Sequence, residues 1–185
     1  MLIAREYDMV ALDDIIGDTQ LFLRQIIKEI EAEGFDMRDF VQIDHVCYRT
    51  TDLGHYRQKQ QELQAVATLL SENLVNDRPI STFRLHQPIV HDGWRIDIVE
   101  LPAPKQGSSY GAGLEHVELV LYDDFDTFLK KYPRDDYEMK ASSRSVNPDI
   151  GLHMPTFTVK FHLISLAAAV FLENQLGFKE IKDGQ

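Results

Sequence analysis

Residues 113–121, "GLEHVELVL", read as a single strand, and that reading decides how the rest of the chain is parsed. In an alternating strand Val117, Leu119 and Leu121 share one wholly apolar face, suited to a covering helix. His116 and Glu118 then fall on the opposite face, together with Leu114 and Val120. An earlier strand-like stretch, "VQIDHVCYRT" at 41–50, carries the same acid–His–Val order at Asp44, His45 and Val46. A lone strand histidine is usually a hydrogen-bonded core or surface residue. Two of them in matching triplets raise the question of a duplicated unit.

The order of elements along the chain agrees with duplication. Residues 18–34 predict a helix, with Asp18 as N-cap, Leu23, Ile26, Ile27 and Ile30 on one face, and Gly34 as the stop. After the 41–50 strand, Thr51 and Asp52 cap an expected helix over 53–73, with an apolar stripe of Tyr56, Leu63, Val66, Ala67 and Leu70. Strands are expected at 80–86 and 94–101, turning at His91-Asp92-Gly93, with Pro102 and Pro104 ending the second. A Gly/Ser loop over 105–113 leads into the second unit. There a strand at 114–122 precedes a short helix around "DFDTFLKKY", a polar strand near 137–143 and an irregular loop, "SVNPDIGLHMP". A strand at 156–163 follows, then a helix capped by Ser165 and ending at Gly177. The expected organisation is an N-terminal helical extension over 1–40, a first βαβββ module over 41–104 and a second over 105–185 with its C-terminal helix. The fold class is α+β, one compact domain.

If the units are copies, their last strands should match as their first ones do. Aligning "RIDIVELP" (95–102) with "FTVKFHLI" (157–164) sets Glu100 against His162, just as His45 is set against His116. Four side chains of metal-binding type thus stand at the first and last strands of two similar modules. Thr158, Lys160 and His162 share a face opposite Phe157, Val159, Phe161 and Leu163. Glu100 falls on the same face as Trp94, Ile96 and Ile98, where a carboxylate is costly unless paired or metal-bound.

Bulk properties bound the function. At 185 residues the chain can bury about 70% of its unfolded surface, so no metal is needed merely to fold. The net charge of -11 argues against nucleic acid, which requires clustered basic groups. The single cysteine, Cys47, forms no internal disulfide and suits a reducing compartment. The first residues turn acidic before any long apolar run, and "LISLAAAVFL" is too short to span a bilayer. The expectation is a soluble, cytoplasmic protein without a membrane partner. No nucleophile elbow, phosphate-binding glycine loop or Cys-x-x-Cys pair is present.

The segments "IDHVCYRT", "LLSENLVNDRPISTFRLHQPI", "IVELPAPK", "YGAGLEHVELVL" and "VKFH" resemble the YecM family of bacterial proteins, over about residues 40–165. That family is similar in fold to the vicinal-oxygen-chelate superfamily of glyoxalases, extradiol dioxygenases and bleomycin-resistance proteins. The resemblance implies paired βαβββ modules curled around a metal cavity. It places the metal ligands at His45, Glu100, His116 and His162. The usual superfamily member has a carboxylate at the last position, so His162 is a departure and could be a ligand, a supporting partner or a substrate-facing base. The implied cofactor is a divalent ion (Zn, Mn, Fe or Ni). The implied activity is an isomerase, lyase or dioxygenase acting on a small oxygenated substrate, the alternative being a non-catalytic module that binds a small ligand or metal. Monomer and homodimer are both compatible with a two-module chain.

Further candidates share the histidine-bearing faces or lie beside them. His86, Glu118 and Lys160 are candidate catalytic groups, and Arg84 a candidate clamp for a substrate carboxylate. Tyr110 is a candidate lid residue. Cys47 reads as a small core filler. His55, His91 and His153 read as exposed.

Overall fold

The computed structural model describes residues 10–176 except 76, 108 and 145. The expected stop at Gly177 and the first part of the N-terminal extension lie outside them. Helices α1 (Leu12–Ile16) and α2 (Thr19–Ala32) come first. Asp18 caps α2 by accepting from the Leu21 amide at 2.8 Å, and Phe22, Leu23, Ile26 and Ile30 are buried along its inner face. A 3-10 turn, Met37–Asp39, leads into β1 (Phe40–Arg49). Then come α3 (Leu53–Leu63), β2 (Ala67–Val75), β3 (Arg78–His91) and β4 (Trp94–Pro102). The second half contains β5 (Gly113–Leu121), α4 (Phe125–Lys131), β6 (Asp149–His153), β7 (Thr158–His162) and α5 (Leu166–Leu176).

All seven strands form one open mixed sheet in the order β2-β3-β4-β1-β5-β7-β6. In both halves the first strand runs parallel to the last: β1 beside β4, and β5 beside β7. The halves join through the antiparallel β1–β5 pair. The expected α+β class and paired-module order are therefore present. Helices α2 and α3 cover one face, where Ile43, Val46, Phe83, Val99, Leu101, Val117, Leu119, Val159 and Phe161 join them in a continuous core. The turn between β3 and β4 uses Asp92 and Gly93, both with positive φ (45° and 85°), the two-residue geometry that matches strand twist.

Three expectations are corrected. The helix over 53–73 stops at Leu63, and 67–75 is strand β2, paired along β3 from Ala67↔Leu85 to Val75↔Arg78. "ATLLSENLV" contains no breaker and helix-competent residues, so only the distant partner strand makes it a strand. The loop "SVNPDIGLHMP" contains β6, paired with β7 from Asp149↔His162 to His153↔Thr158. The polar strand near 137–143 is reduced to one bridge, Glu138↔Gly151. A Cβ at position 151 would meet the Glu138 side chain at 3.1–3.2 Å, so a larger residue there would require that exposed side chain to give by a few tenths of an ångström.

One surface cluster fixes the start of β1 to α4. The Asp39 carboxylate accepts from Lys131 Nζ at 2.7 Å and from the Tyr132 hydroxyl. Burial opposes the charge, but these two donors outweigh it and hold the carboxyl below its ordinary 3.8. A depressed value stabilises the fold above the unfolded pKa and loses that contribution as pH falls through the folded one. Wild type should therefore exceed Asp39→Asn in urea midpoint at about pH 6 and converge with it in acid. A gap that persists unchanged into acid would exclude this linkage.

Candidate metal centre

The site is built on two bulges. Between Ile43 and His45 the β1–β5 register slips, and Asp44 is the extra residue. Between Cys47 and Tyr48 it slips again, and Glu115 is the extra residue on β5. A bulge lets two successive side chains leave the ladder on the same side. Asp44 and His45 thus stand together on the face away from the core, as do Glu115 and His116. Each acid touches its own histidine: Asp44 Oδ2 lies 2.9 Å from His45 Nδ1, and Glu115 Oε2 lies 3.4 Å from His116 Nδ1. The repeated triplet is therefore a repeated bulge that sets an acid beside each Nδ1, hydrogen-bonded in the Asp44–His45 pair, and leaves Nε2 facing inward. The same slip turns Leu114 toward the core rather than beside His116. A similar shift affects Trp94 and Ile96, which join the core, whereas Ile98 and Glu100 face the histidines.

One donor atom from each of His45, Glu100 and His116 lies within 4.8 Å of the others. Glu118 occupies the middle. Its Oε1 is 3.6 Å from His45 Nε2 and 3.5 Å from His116 Nε2, and His116 Nε2 is 3.8 Å from Glu100 Oε2. Donors held at about 2.0–2.2 Å from one tetrahedral ion stand about 3.3–3.6 Å apart, close to these separations. His162 is not drawn into the three-residue set. Its Nε2 sits 2.5 Å from Glu118 Oε2, off the hydrogen-bonding direction, and its Nδ1 is 2.9 Å from Asn147 Oδ1. Lys160 Nζ donates to Glu118 Oε1 at 2.6 Å. Glu118 and Lys160 are thus both at the centre, with His162 behind Glu118.

These groups are buried: His45 is 0% exposed, and Glu118 and His162 are 3%. Buried polar nitrogens are normally satisfied. Yet Nε2 of His45, His116 and His162 all lack a hydrogen-bond partner. Burial opposes charge on His45, but Glu118 and then Asp44 outweigh it and raise the ring to about 9. Burial and the neighbouring Lys160 push His116 below its ordinary value. On Glu118 burial is outweighed by His162, Lys160 and His45, which hold the carboxyl well below the usual range. The Cys47 thiol, buried beside Glu100, is pushed up by burial and that carboxylate. Four acids (Asp44, Glu100, Glu115, Glu118) face two permanent cations (Arg49, Lys160), an excess that one divalent ion would cancel.

Helix α5 closes the site from the side opposite the core. The Leu166 amide donates to Asp44 Oδ2 at 2.8 Å, and Asn73 donates to Glu173 at 3.0 Å, so α5 lies across the histidine-bearing face from β1 to β2. Its own Ala169 and Val170 are buried.

The remaining candidates lie elsewhere. Arg84 is solvent-facing and 3.9 Å from Asp97, and exposed His86 is 3.2 Å from Thr68. Neither reaches the centre. His91 is buried rather than exposed, with Nδ1 2.8 Å from Gln20 Oε1. His153 is exposed, whereas His55 is half-buried with its ring 6.1 Å from that of Tyr48. Tyr110 accepts from the Lys105 amide, and its ring lies under the Arg49 guanidinium at 4.5 Å. Sequence reasoning did not assign Asp44, Glu115 or Arg49; the repeated acid before each histidine was the signal for the first two.

Residues 11–173 match the family model described as YecM protein. The chain belongs to the YecM family. It is 30% identical over 149 residues to Protein YecM of Escherichia coli (strain K12), covering 80% of this chain and 73% of that one. A solved structural-genomics structure, Protein EC4020, is 27% identical with TM-score 0.73, covering 94% of this chain and 98% of that one. A methylmalonyl-CoA epimerase in complex with methylmalonyl-CoA and NH4+ is 14% identical with TM-score 0.46, covering 69% of this chain and 96% of that one. Among the described residues no helix is long and apolar enough to cross a membrane.

Proposed function

We propose that this YecM-family chain binds a divalent metal ion and acts on a small oxygenated molecule in the manner of the vicinal-oxygen-chelate enzymes, by isomerisation, lyase or dioxygenase chemistry. The carrying observation is the set of buried histidine Nε2 atoms without hydrogen-bond partners, gathered around carboxylates in a site with an excess of negative charge. His45, Glu100 and His116 hold the ion, and Glu118 completes the set in place of His162. Two imidazoles with carboxylates suit Zn, Mn, Fe or Ni. A divalent ion held there supplies Lewis acidity to adjacent substrate oxygens.

The chain's own groups prepare that site. Asp44 orients His45 through Nδ1, and Glu115 sets a negative charge 3.4 Å from Nδ1 of His116. Lys160 and His162 flank the two Glu118 oxygens and keep that carboxylate anionic and in place. Helix α5 keeps bulk water off the histidine face, which strengthens every charge interaction inside.

A non-catalytic binding module is the second reading, and the central position of Glu118 favours it, since four protein donors make a closed site. The first test is metal content and calorimetric titration with Zn, Mn, Fe and Ni for wild type, His45→Ala and His116→Ala. Wild type should take up one equivalent, and each variant should bind at least about 100-fold more weakly, since one donor is lost and its carboxylate neighbours remain. Wild type that takes up no ion and shows no thermal shift would remove the metal reading altogether. Metal-dependent turnover of hydroxy-acids, dicarbonyls or catechols separates enzyme from binder.

A further inference from the structure

A cavity of about 410 Å³ opens at one rim of the sheet, beside the candidate metal centre. Its wall includes Arg49, Glu115, Met154, Thr156, Phe157 and Thr158, and the loop backbone at 111–113. That volume is in the range of small-molecule sites. One carboxylate joins it to the centre: Glu115 accepts from Arg49 Nη2 through Oε1, while its Oε2 lies 3.4 Å from His116 Nδ1. Thr158, on the cavity wall, is also the β7 partner of His116.

Arg49 is prepared for an anion. Its guanidinium is stacked over the Tyr110 ring at 4.5 Å, so its plane is fixed before any ligand arrives. Only Nη2 is engaged by Glu115; Nε and Nη1 have no acceptor among the described residues. The threonines at 156 and 158 add hydroxyls to the same wall, and Met154 and Phe157 supply an apolar surface between the polar groups. His153, the cavity's other ionisable nitrogen base, is already engaged by Thr158 and Glu138.

We propose that this cavity is an anion subsite in which the Arg49 guanidinium clamps a carboxylate or phosphoryl group at the far end of the substrate. This inference rests on the metal-site reading above. It narrows the substrate class to small molecules with adjacent oxygens at one end and an anionic group several bonds away. The clamp expected of Arg84 falls instead to Arg49.

The test uses full-length, Mn-loaded protein and three probes sharing a 2-hydroxy-acid head: 2-hydroxyglutarate, 3-phosphoglycerate and the uncharged-tail 2-hydroxypentanoate. Wild type should bind at least one anionic-tail probe about 10-fold or more tightly than the neutral one, as a charge-assisted clamp requires. Preference for one of the two anions identifies the group. Arg49→Gln should abolish the preference while Mn binding persists. Arg49→Lys keeps the charge without the planar fork: a diffuse field effect would preserve the full preference, whereas a clamp would lose most of it. Equal binding of all three probes by Mn-loaded wild type, or a preference surviving in Arg49→Gln, overturns the subsite and leaves the metal reading standing. Failure of wild type to bind Mn removes the metal reading itself.

Discussion

Glu118→Ala should lower the stability of the metal-free protein by about 3 kcal/mol, or about 6–12 °C in Tm for a chain of this size. The reason is the company Glu118 keeps. Lys160 Nζ is 2.6 Å from one of its oxygens, His162 Nε2 is 2.5 Å from the other, and His45 lies 3.6 Å away. Removing the carboxylate takes away the nearest partner of Lys160 and His162, and burial limits the access of water to the space it leaves. The lower end of the range for a broken buried pair is expected because Lys160 retains 31% exposure and can turn toward solvent. Urea denaturation with EDTA present isolates this effect from metal binding. A shift below about 0.5 kcal/mol would show that the cluster does not depend on an ionised Glu118. Lys160→Met should be milder, since the three imidazoles still surround the carboxylate.

The second large effect is expected on the other face of the neighbouring strand, β7. Phe161→Ala should cost about 3–5 kcal/mol. Phe161 is fully buried and its ring lies 4.7 Å from Phe128, 5.4 Å from Phe35, 5.8 Å from Phe40 and 6.4 Å from Tyr137. That cluster joins α4, the segment after α2, and strands β1 and β7. Because Phe161 stands between Lys160 and His162, its loss should also loosen the strand that carries them. Equilibrium unfolding should show the full cost in Phe161→Ala and a smaller one in Phe161→Leu. Equal unfolding midpoints for wild type and Phe161→Ala would refute this placement of the core.

The sequence made one kind of information legible and concealed another. Alternation exposed the apolar faces of β5 and β7, so Val117, Leu119, Val159 and Phe161 were placed on the helix side correctly. The pairing of His45 with His116 was visible because each follows an acid and precedes a valine. What alternation could not reveal was the set of slips that break it. A bulge is fixed by the partner strand, and nothing local in "QIDHV" or "GLEHV" announces one. Leu114, Trp94 and Ile96 were therefore assigned to the wrong side, and Asp44 and Glu115 received no role. Strand β2 was concealed for a related reason: Ala67, Thr68, Leu69 and Leu70 follow a helix without a breaker, and β3 alone decides their state. Strand β6 was hidden by Pro148 before it and Gly151 within it, the glycine that lies closely against the Glu138 side chain. His162 was aligned with Glu100, but β4 sets Glu100 two residues beyond the partner of His45, and β7 sets Lys160, not His162, two beyond the partner of His116. Glu118 stands between His162 and the other histidines.

The two bulges divide the chain's tolerance of length change from its tolerance of substitution. Asp44 is the unpaired extra residue between Ile43 and His45, so losing that one codon would leave Ile43, His45 and Val46 on their present sides. The ladder would heal, α5 would lose its anchor on β1, and His45 would lose the acid on its Nδ1. Losing Val46 instead would invert every later side chain of β1, sending Cys47 inward and Tyr48 out. The same holds for Glu115 against Val117 on β5. Single-codon gaps at 44 and 115 are thus the edits that would keep the scaffold and the four candidate ligands in place while stripping each histidine of its neighbouring acid.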